Sequence, residues 1–193
     1  MKTSAPQITP VAGAHMDTPL GEALLALNNS HAIELSLLQA ERLAGLLAQA
    51  WCAWRIGEID AFILVLDESA AYDSPNFRWF RQRYQRFIYV DRIVVAPSAR
   101  GRGLARLLYQ ELIRRASDAG HERIVCEVNL DPPNPQSDAF HAALGFSAVG
   151  SASIHGGAKT VRYLSRSLVS DSVKSAAASS DQAAEAGGKA RTE

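Results

Sequence analysis

A chain of 193 residues with 47% hydrophobic and 21% charged residues can bury one sizeable core, which fits a single globular domain. Twenty Lys and Arg balance twenty Asp and Glu, and zero net charge argues against a surface given over to nucleic acid or to a membrane. Cys52 and Cys126 are too few for a disulfide framework or a thiolate metal cluster, and no apolar run reaches the ~20 residues of a membrane span, so the expected home is a reducing cytoplasm.

Composition divides the chain into a Pro-, Thr-, Gly- and Ala-rich N-terminal segment, residues 1–17, expected to be disordered, and a folded domain, residues 18–169. Residues 170–193, nearly all small or polar and without an aromatic, are expected to form a disordered tail. Within the domain, Ser36 and Gln39 stand at capping-box spacing before Leu43, Leu46, Leu47 and Ala50, which predicts a helix ending near Ala50. Trp51 to Arg55 and Asp60 to Leu66 read as a hairpin around Gly57. Asp67 to Arg86 reads as a polar and aromatic insertion, containing Tyr72, Phe77, Trp79, Phe80 and Tyr84, of a length that often carries function.

Phe87 to Val95 returns to strand character. Leu104, Leu107, Leu108, Leu112 and Ala116 mark the buried face of a helix ending near Gly120, and Arg123 to Asn129 reads as a strand parallel to the one before the helix. Pro132-Pro133-Asn134-Pro135 stops that strand, and a short helix runs from about Pro135 to Leu144, with Gly145 at its end. Ser147 to His155 and Thr160 to Leu168 complete the sheet around Gly156-Gly157, so the sheet is mixed.

Arg100-Gly101-Arg102-Gly103-Leu104-Ala105 joins strand to helix and is the most informative stretch. A helix start exposes N–H groups without intrahelical partners, and its dipole adds roughly half a positive charge there. Glycines at 101 and 103 let the main chain take positive φ and approach a phosphate with no Cβ in the way. From Arg78 to Arg115 ten arginines face only Asp91 and Glu111, a local excess that draws anions. No Gly-Lys-Ser/Thr follows, so this is not a P-loop, and the spacing is not the three-glycine dinucleotide fingerprint.

Asp91-Arg92-Ile93-Val94-Val95, the Arg-x-x-Gly-x-Ala of Arg100 to Ala105, and Asn134 through Gly145-Phe146 occur in the order that resembles the GNAT N-acetyltransferase superfamily. The resemblance covers about Leu24 to Leu168. It implies an α/β (α+β) fold with a mixed, mostly antiparallel central sheet flanked by helices, and a parallel pair splayed between the strands ending at Val95 and Asn129. Acetyl-CoA would lie in that splay as cosubstrate. The resemblance gives the backbone of Ile93, Val94 and Val95 to the pantetheine and thioester. It gives that of Arg100, Gly101, Arg102, Gly103, Leu104 and Ala105 to the pyrophosphate, with Arg106 and Asn134 as further contacts. A strand edge with free amides can pair with pantetheine and stabilise a developing oxyanion, which agrees.

Relatives commonly carry a tyrosine at the position of His141, where it often protonates the leaving thiolate. Imidazolium, with a reference pKa of about 6.5, would donate downhill to a thiolate whose thiol titrates near ~8.5. Packing beside Phe140 is the other reading of His141. An amine acceptor must lose a proton before attack, and Asp91 and Glu127 are the candidate bases, each with an ion-paired structural role as its alternative. The acceptor wall is expected from the Tyr72 to Tyr84 insertion and from around His155 and Tyr163, with Glu34, Asp73 or Glu127 facing a cation. His31, His121 and His155 lack metal-ligand spacing, and no metal is expected. The reading is an N-acyltransferase moving acetyl from acetyl-CoA to a primary amine by direct attack in a ternary complex. The alternative is a noncatalytic acyl-CoA sensor of the same fold. The partners are acetyl-CoA and an amine, with neither nucleic acid nor membrane, and a homodimer is an allowed assembly.

Overall fold

The computed structural model describes residues 6–11 and 15–169. Seven strands form one sheet: β1 (Ile8–Pro10), β2 (Cys52–Ile56), β3 (Ala61–Asp67), β4 (Ile88–Val95), β5 (Arg123–Asp131), β6 (Ser147–Ile154) and β7 (Lys159–Ser167). Their order is β1-β2-β3-β4-β5-β7-β6, and every neighbouring pair is antiparallel except β4 with β5. The expected mixed, mostly antiparallel sheet with one parallel pair is therefore present. Among the described residues six α-helices flank it: α1 (Pro19–Asn29), α2 (Ala32–Leu35), α3 (Ala40–Gln49), α4 (Pro75–Arg81), α5 (Leu104–Asp118) and α6 (Pro135–Ala143).

The central position of β3 explains its unbroken apolar run. Ala61 to Leu66 are all buried, because the sheet is covered on both faces. On one face Leu24, Leu43, Leu46, Phe77 and Phe80 from α1, α3 and α4 pack on Phe62, Leu64, Leu66 and Tyr89. On the other, Leu104, Leu108, Leu112 and Ala116 line one side of α5 at four-residue spacing and pack on Ile63, Val65, Ile88 and Ile124.

Two irregularities shape the middle of the sheet. The parallel pair holds register only at Ile88↔Ile124 and Tyr89↔Val125, although β4 runs on to Val95 and β5 to Asp131. Beyond Tyr89 the strands diverge, and the edge of β4 that faces β5 has no strand partner. In the pairing of β3 with β4, Leu64 meets Arg92 and Val65 meets Val90, which leaves Asp91 as an extra residue, a β-bulge.

Several local expectations are corrected. Ser36 does not cap α3: it ends α2 at φ 79°, and the N-cap of α3 is Gln39, without a side-chain bond. Long-range bonds replace the capping box, since Asn29 Oδ1 accepts from Leu38 N at 2.9 Å and Asn29 Nδ2 donates to Leu38 O at 2.9 Å. Helix α1, capped by Thr18 and opened by Pro19, precedes the first expected helix, and Ile8–Pro10 within the segment expected to be disordered pairs with β2. The 67–86 insertion holds α4, with Phe77 and Phe80 fully buried as core. The expected tail, 170–193, lies outside the described residues.

Leu108 makes no contact with solvent and sits at the middle of the α5 stripe. Leu108→Ala is expected to cost about 3 kcal/mol in urea unfolding, the usual range for a buried leucine whose cavity cannot collapse.

Candidate active site

The splay opens a cavity of about 480 Å³ whose walls come from both faces of the sheet. Ile93, Val94 and Val95 line it from β4, Cys126, Glu127 and Val128 from β5, and Arg100 and Ala105 from the turn and first helical residues beyond β4. Gly101 and Gly103 have φ of +76° and +74°, a region costly to L side chains, and a Cβ at either would meet nothing within 4 Å. Backbone conformation and open space above the turn, rather than packing, are what these glycines supply. Gly103 is the N-cap of α5 and no side chain caps the helix, so its first amides are left to another partner. Uncapped amides with open space above them are a geometry suited to an anion.

The arginines divide into two groups. Arg78, Arg92, Arg102, Arg114 and Arg115 pair with carboxylates, Arg102 with Asp60 at 2.9 Å. Among the described residues the other five between Arg78 and Arg115, namely Arg81, Arg83, Arg86, Arg100 and Arg106, have no carboxylate partner, and of these Arg100 lines the cavity. Asn134 lines the cavity while its Oδ1 accepts from Ser137 N at 3.1 Å, capping α6.

The bulge decides where Asp91 points. Tyr89, before it, and Val94, after it, pack on the same face despite their odd and even numbers, because the extra residue switches the alternation. Asp91 and Arg92 thereby share that face as sequence neighbours. Arg92 Nε approaches Asp91 Oδ2 at 3.1 Å, and its Nη1 donates to Asn28 Oδ1 at 2.6 Å and to the carbonyls of Leu35 and Ser36. Burial pushes the Asp91 carboxyl up, and Arg92, Tyr72 and Arg42 oppose it.

Glu127 reaches the same space from β5 with a different set of partners. The Tyr89 hydroxyl lies 2.9 and 3.0 Å from its two oxygens, and Asn76 Nδ2 donates to Oε1 at 2.8 Å. Burial first, and then the charge of Asp91, push its carboxyl up to about 7, against the hydrogen bonds from Tyr89 and Asn76. Its carboxyl is therefore poised to exchange a proton near neutrality.

On the α5 and α6 face, His141 is 3% exposed. Its Nδ1 donates to Ser137 O at 2.8 Å, and its Nε2 meets the Tyr109 hydroxyl at 2.8 Å. A carbonyl only accepts, so Nδ1 carries the proton and Nε2 accepts from Tyr109. Burial lowers the His141 pKa, so the imidazolium needed for direct donation is disfavoured in this arrangement. Burial raises the Tyr109 hydroxyl and the neighbouring Cys126 thiol well above their ordinary values.

The cavity brings together Asp91, Glu127 and His141 with Ile93, Val94, Val95, Arg100, Ala105 and Asn134, whereas Gly101, Arg102, Gly103, Leu104 and Arg106 do not line it. Arg106 is exposed on α5. The acceptor wall is narrower than expected: residues 72–76 line the cavity, whereas Phe77 and Phe80 belong to the core and Tyr163 lies behind Asn76. His155 lines it, Asp73 is tied to Arg78, and the Glu34 side chain lies outside those described. Sequence reasoning missed Tyr109, Asn76, Tyr89 and Arg92. Only Asn76 had a local signal, since Ser74-Pro75 before it marks a helix start. No group of three or more His, Cys, Asp or Glu that could hold a metal occurs among the described residues, and none of their helices is long and apolar enough to cross a membrane.

The raised Glu127 pKa fixes a sign for stability. Between its ordinary 4.5 and about 7, the folded chain keeps a proton that the unfolded chain has released, so this group makes stability fall as pH rises through that window. Urea midpoints compared at about pH 5 and about pH 8 should show a smaller decline in Glu127→Gln than in the parent chain.

The family model described as Acetyltransferase (GNAT) family matches residues 26–146. No curated protein matches. Among solved structures, a ribosomal-protein alanine N-acetyltransferase from Escherichia coli is 14% identical with TM-score 0.60, covering 86% of this chain and 95% of its own. An N-acetyltransferase from Staphylococcus aureus is 19% identical with TM-score 0.60, covering 86% and 100%. The structure of yncA from Salmonella typhimurium with its cofactor acetyl-CoA is also 19% identical with TM-score 0.60, covering 86% and 96%. The structures share the fold and the family match spans more than half of the sequence, so the chain belongs to the GNAT acetyltransferase family.

Proposed function

We propose that the protein transfers an acetyl group from acetyl-CoA to a primary amine by direct attack within a ternary complex. The observation that carries this reading is the arrangement of the splay: an unpaired β4 edge and a carboxyl pushed up to about 7 face one cavity, and Arg100 and Ala105 bring the two ends of the glycine turn to it. Acetyl-CoA supplies an activated acyl carbon on a thioester. The amides of Gly101 to Ala105 take the pyrophosphate, Arg100 and Arg106 add charge, and the backbone of Ile93 to Val95 pairs with the pantetheine arm. Asn134 is a further contact on the opposite wall.

Glu127 accepts the proton that the acceptor ammonium must lose, and nitrogen then bonds to the acyl carbon as the carbon–sulfur bond breaks. Asp91, held by Arg92, supports the base by keeping its pKa high rather than by taking the proton itself. The sulfur leaves on the other face. There Tyr109, whose hydroxyl donates to His141 Nε2, lines the cavity, and the departing thiolate takes the second proton of the former ammonium nitrogen, which leaves a neutral amide and the CoA thiol. Neither cysteine serves as a nucleophile, because burial raises both thiols. Two free thiols fit a reducing cytoplasm.

Free CoA release with acetyl-CoA and a panel of primary amines, read together with the acceptor's mass shift, tests the reading. Glu127→Gln should lower kcat/KM by on the order of 10²- to 10⁴-fold. The parent profile should rise with pH through about 7 as Glu127 ionises, and that limb should vanish in the variant. Tight CoA binding without transfer to any amine would favour the sensor instead. Gly103→Val should weaken CoA binding at least tenfold by calorimetry, since a β-branched residue resists φ near +74° and its side chain fills the open space above the turn.

A further inference from the structure

Helix α4 stands where an acceptor-binding loop was expected, and its aromatic residues are turned inward. Phe80 meets the ring of Tyr163 edge-on at 5.1 Å, and Trp79 stacks on it at 4.2 Å and 24°. Tyr163 is 1% exposed and lies directly across from Glu127 in the register of β5 with β7. Its hydroxyl donates to Asn76 Oδ1 at 3.1 Å, and Asn76, 8% exposed, donates from Nδ2 to Glu127 Oε1 at 2.8 Å.

We propose that Tyr163 and Asn76 are positioning residues for the Glu127 base: Tyr163 sets which way the Asn76 amide faces, and the amide holds the carboxylate rotamer and favours its ionised form. This deepens the reading of Glu127 as the base and rests on it. An asparagine amide can turn over, exchanging its donor and acceptor ends. A phenol donating to Oδ1 keeps the NH₂ end on Glu127, and the Trp79 and Phe80 rings keep the phenol in place. The conformation is thus set by a rigid aromatic clamp built from the insertion, and the acceptor need not touch that insertion's aromatic residues.

The other groups that act on Glu127 are accounted for. From β4, Asp91 raises its pKa and the Tyr89 hydroxyl lowers it; from β7, Lys159 lowers it. Tyr72, Tyr109, Cys126 and Tyr163 are un-ionised near neutral pH, their own titrations being raised by burial. Removing the Asn76 donor leaves Asp91 and burial less opposed, so the Glu127 midpoint must move upward.

The test is a ¹³C carboxyl titration of the full chain labelled at glutamate, with the Glu127 resonance assigned by its loss in Glu127→Gln. Asn76→Leu, close in size, should raise the midpoint by about one pH unit, the scale of one lost hydrogen bond to a charge. Tyr163→Phe, which keeps the ring and its stacking, should raise it by less and in the same direction. With acetyl-CoA and the best amine of the screen, the acid limb of kcat/KM should move by matching amounts, and Asn76→Leu should add no further loss to Glu127→Gln. An unmoved midpoint in both folded variants would overturn the proposal even if their turnover or stability fell. If Glu127→Gln leaves turnover intact, the base reading fails and with it the catalytic sense of the positioning. The titration separates these outcomes.

Discussion

The early end of pairing between β4 and β5 is the constraint on which the rest of the site depends. Two register pairs hold the strands together, and beyond them each must satisfy its facing backbone groups in some other way. A long apolar ladder would have sealed the sheet. Instead the parting gives an extended ligand a strand edge to pair with, and it joins the two faces of the sheet through one opening. The turn at Gly101 and Gly103 stands beyond the end of β4, so in the proposed reading the pyrophosphate site follows the pantetheine edge along the chain.

Placing polar chemistry beside that opening requires many partners, because unpaired polar groups are expensive in a low-dielectric interior. The bulge at Asp91 puts a carboxylate and an arginine on one face as neighbours, and Arg92 in turn binds Asn28 and the carbonyls of Leu35 and Ser36. One ion pair therefore ties the strand to the α1–α2 segment that walls the cavity. Glu127 has no comparable arginine. Its partners are the neutral donors Tyr89 and Asn76, which hold the carboxylate and lower its proton affinity by less than burial and Asp91 together raise it. The two carboxylates come from adjacent strands and differ because one has a guanidinium beside it and the other does not.

Much of the fold was legible from periodicity and punctuation. The α5 stripe, the central strands, the glycine turn and the Pro-bounded α6 are local patterns, and their residues carry the family resemblance. What was not legible depended on contacts distant in sequence. The Ser36–Gln39 capping box failed because Asn29 satisfies Leu38 from nine residues away, and the bulge at Asp91 has no local signature. The aromatic insertion looked like a substrate wall because composition does not reveal direction; Tyr72 does line the cavity, but Phe77, Trp79 and Phe80 face the core and Tyr163. At the site, Glu127 and His141 were identifiable by residue type and family position. Their partners Asn76, Tyr89 and Tyr109 lie 51, 38 and 32 residues away, beyond any local rule.

The most direct measurement of the central claim is a crystal structure of the full chain with CoA. The account predicts the pyrophosphate over the amides of Gly101 to Ala105, the pantetheine arm along Ile93 to Val95, and the sulfur between the strands with Tyr109 on one side and Glu127 on the other. CoA bound outside the splay, or a β4–β5 ladder that closes beyond Tyr89 when CoA binds, would contradict it.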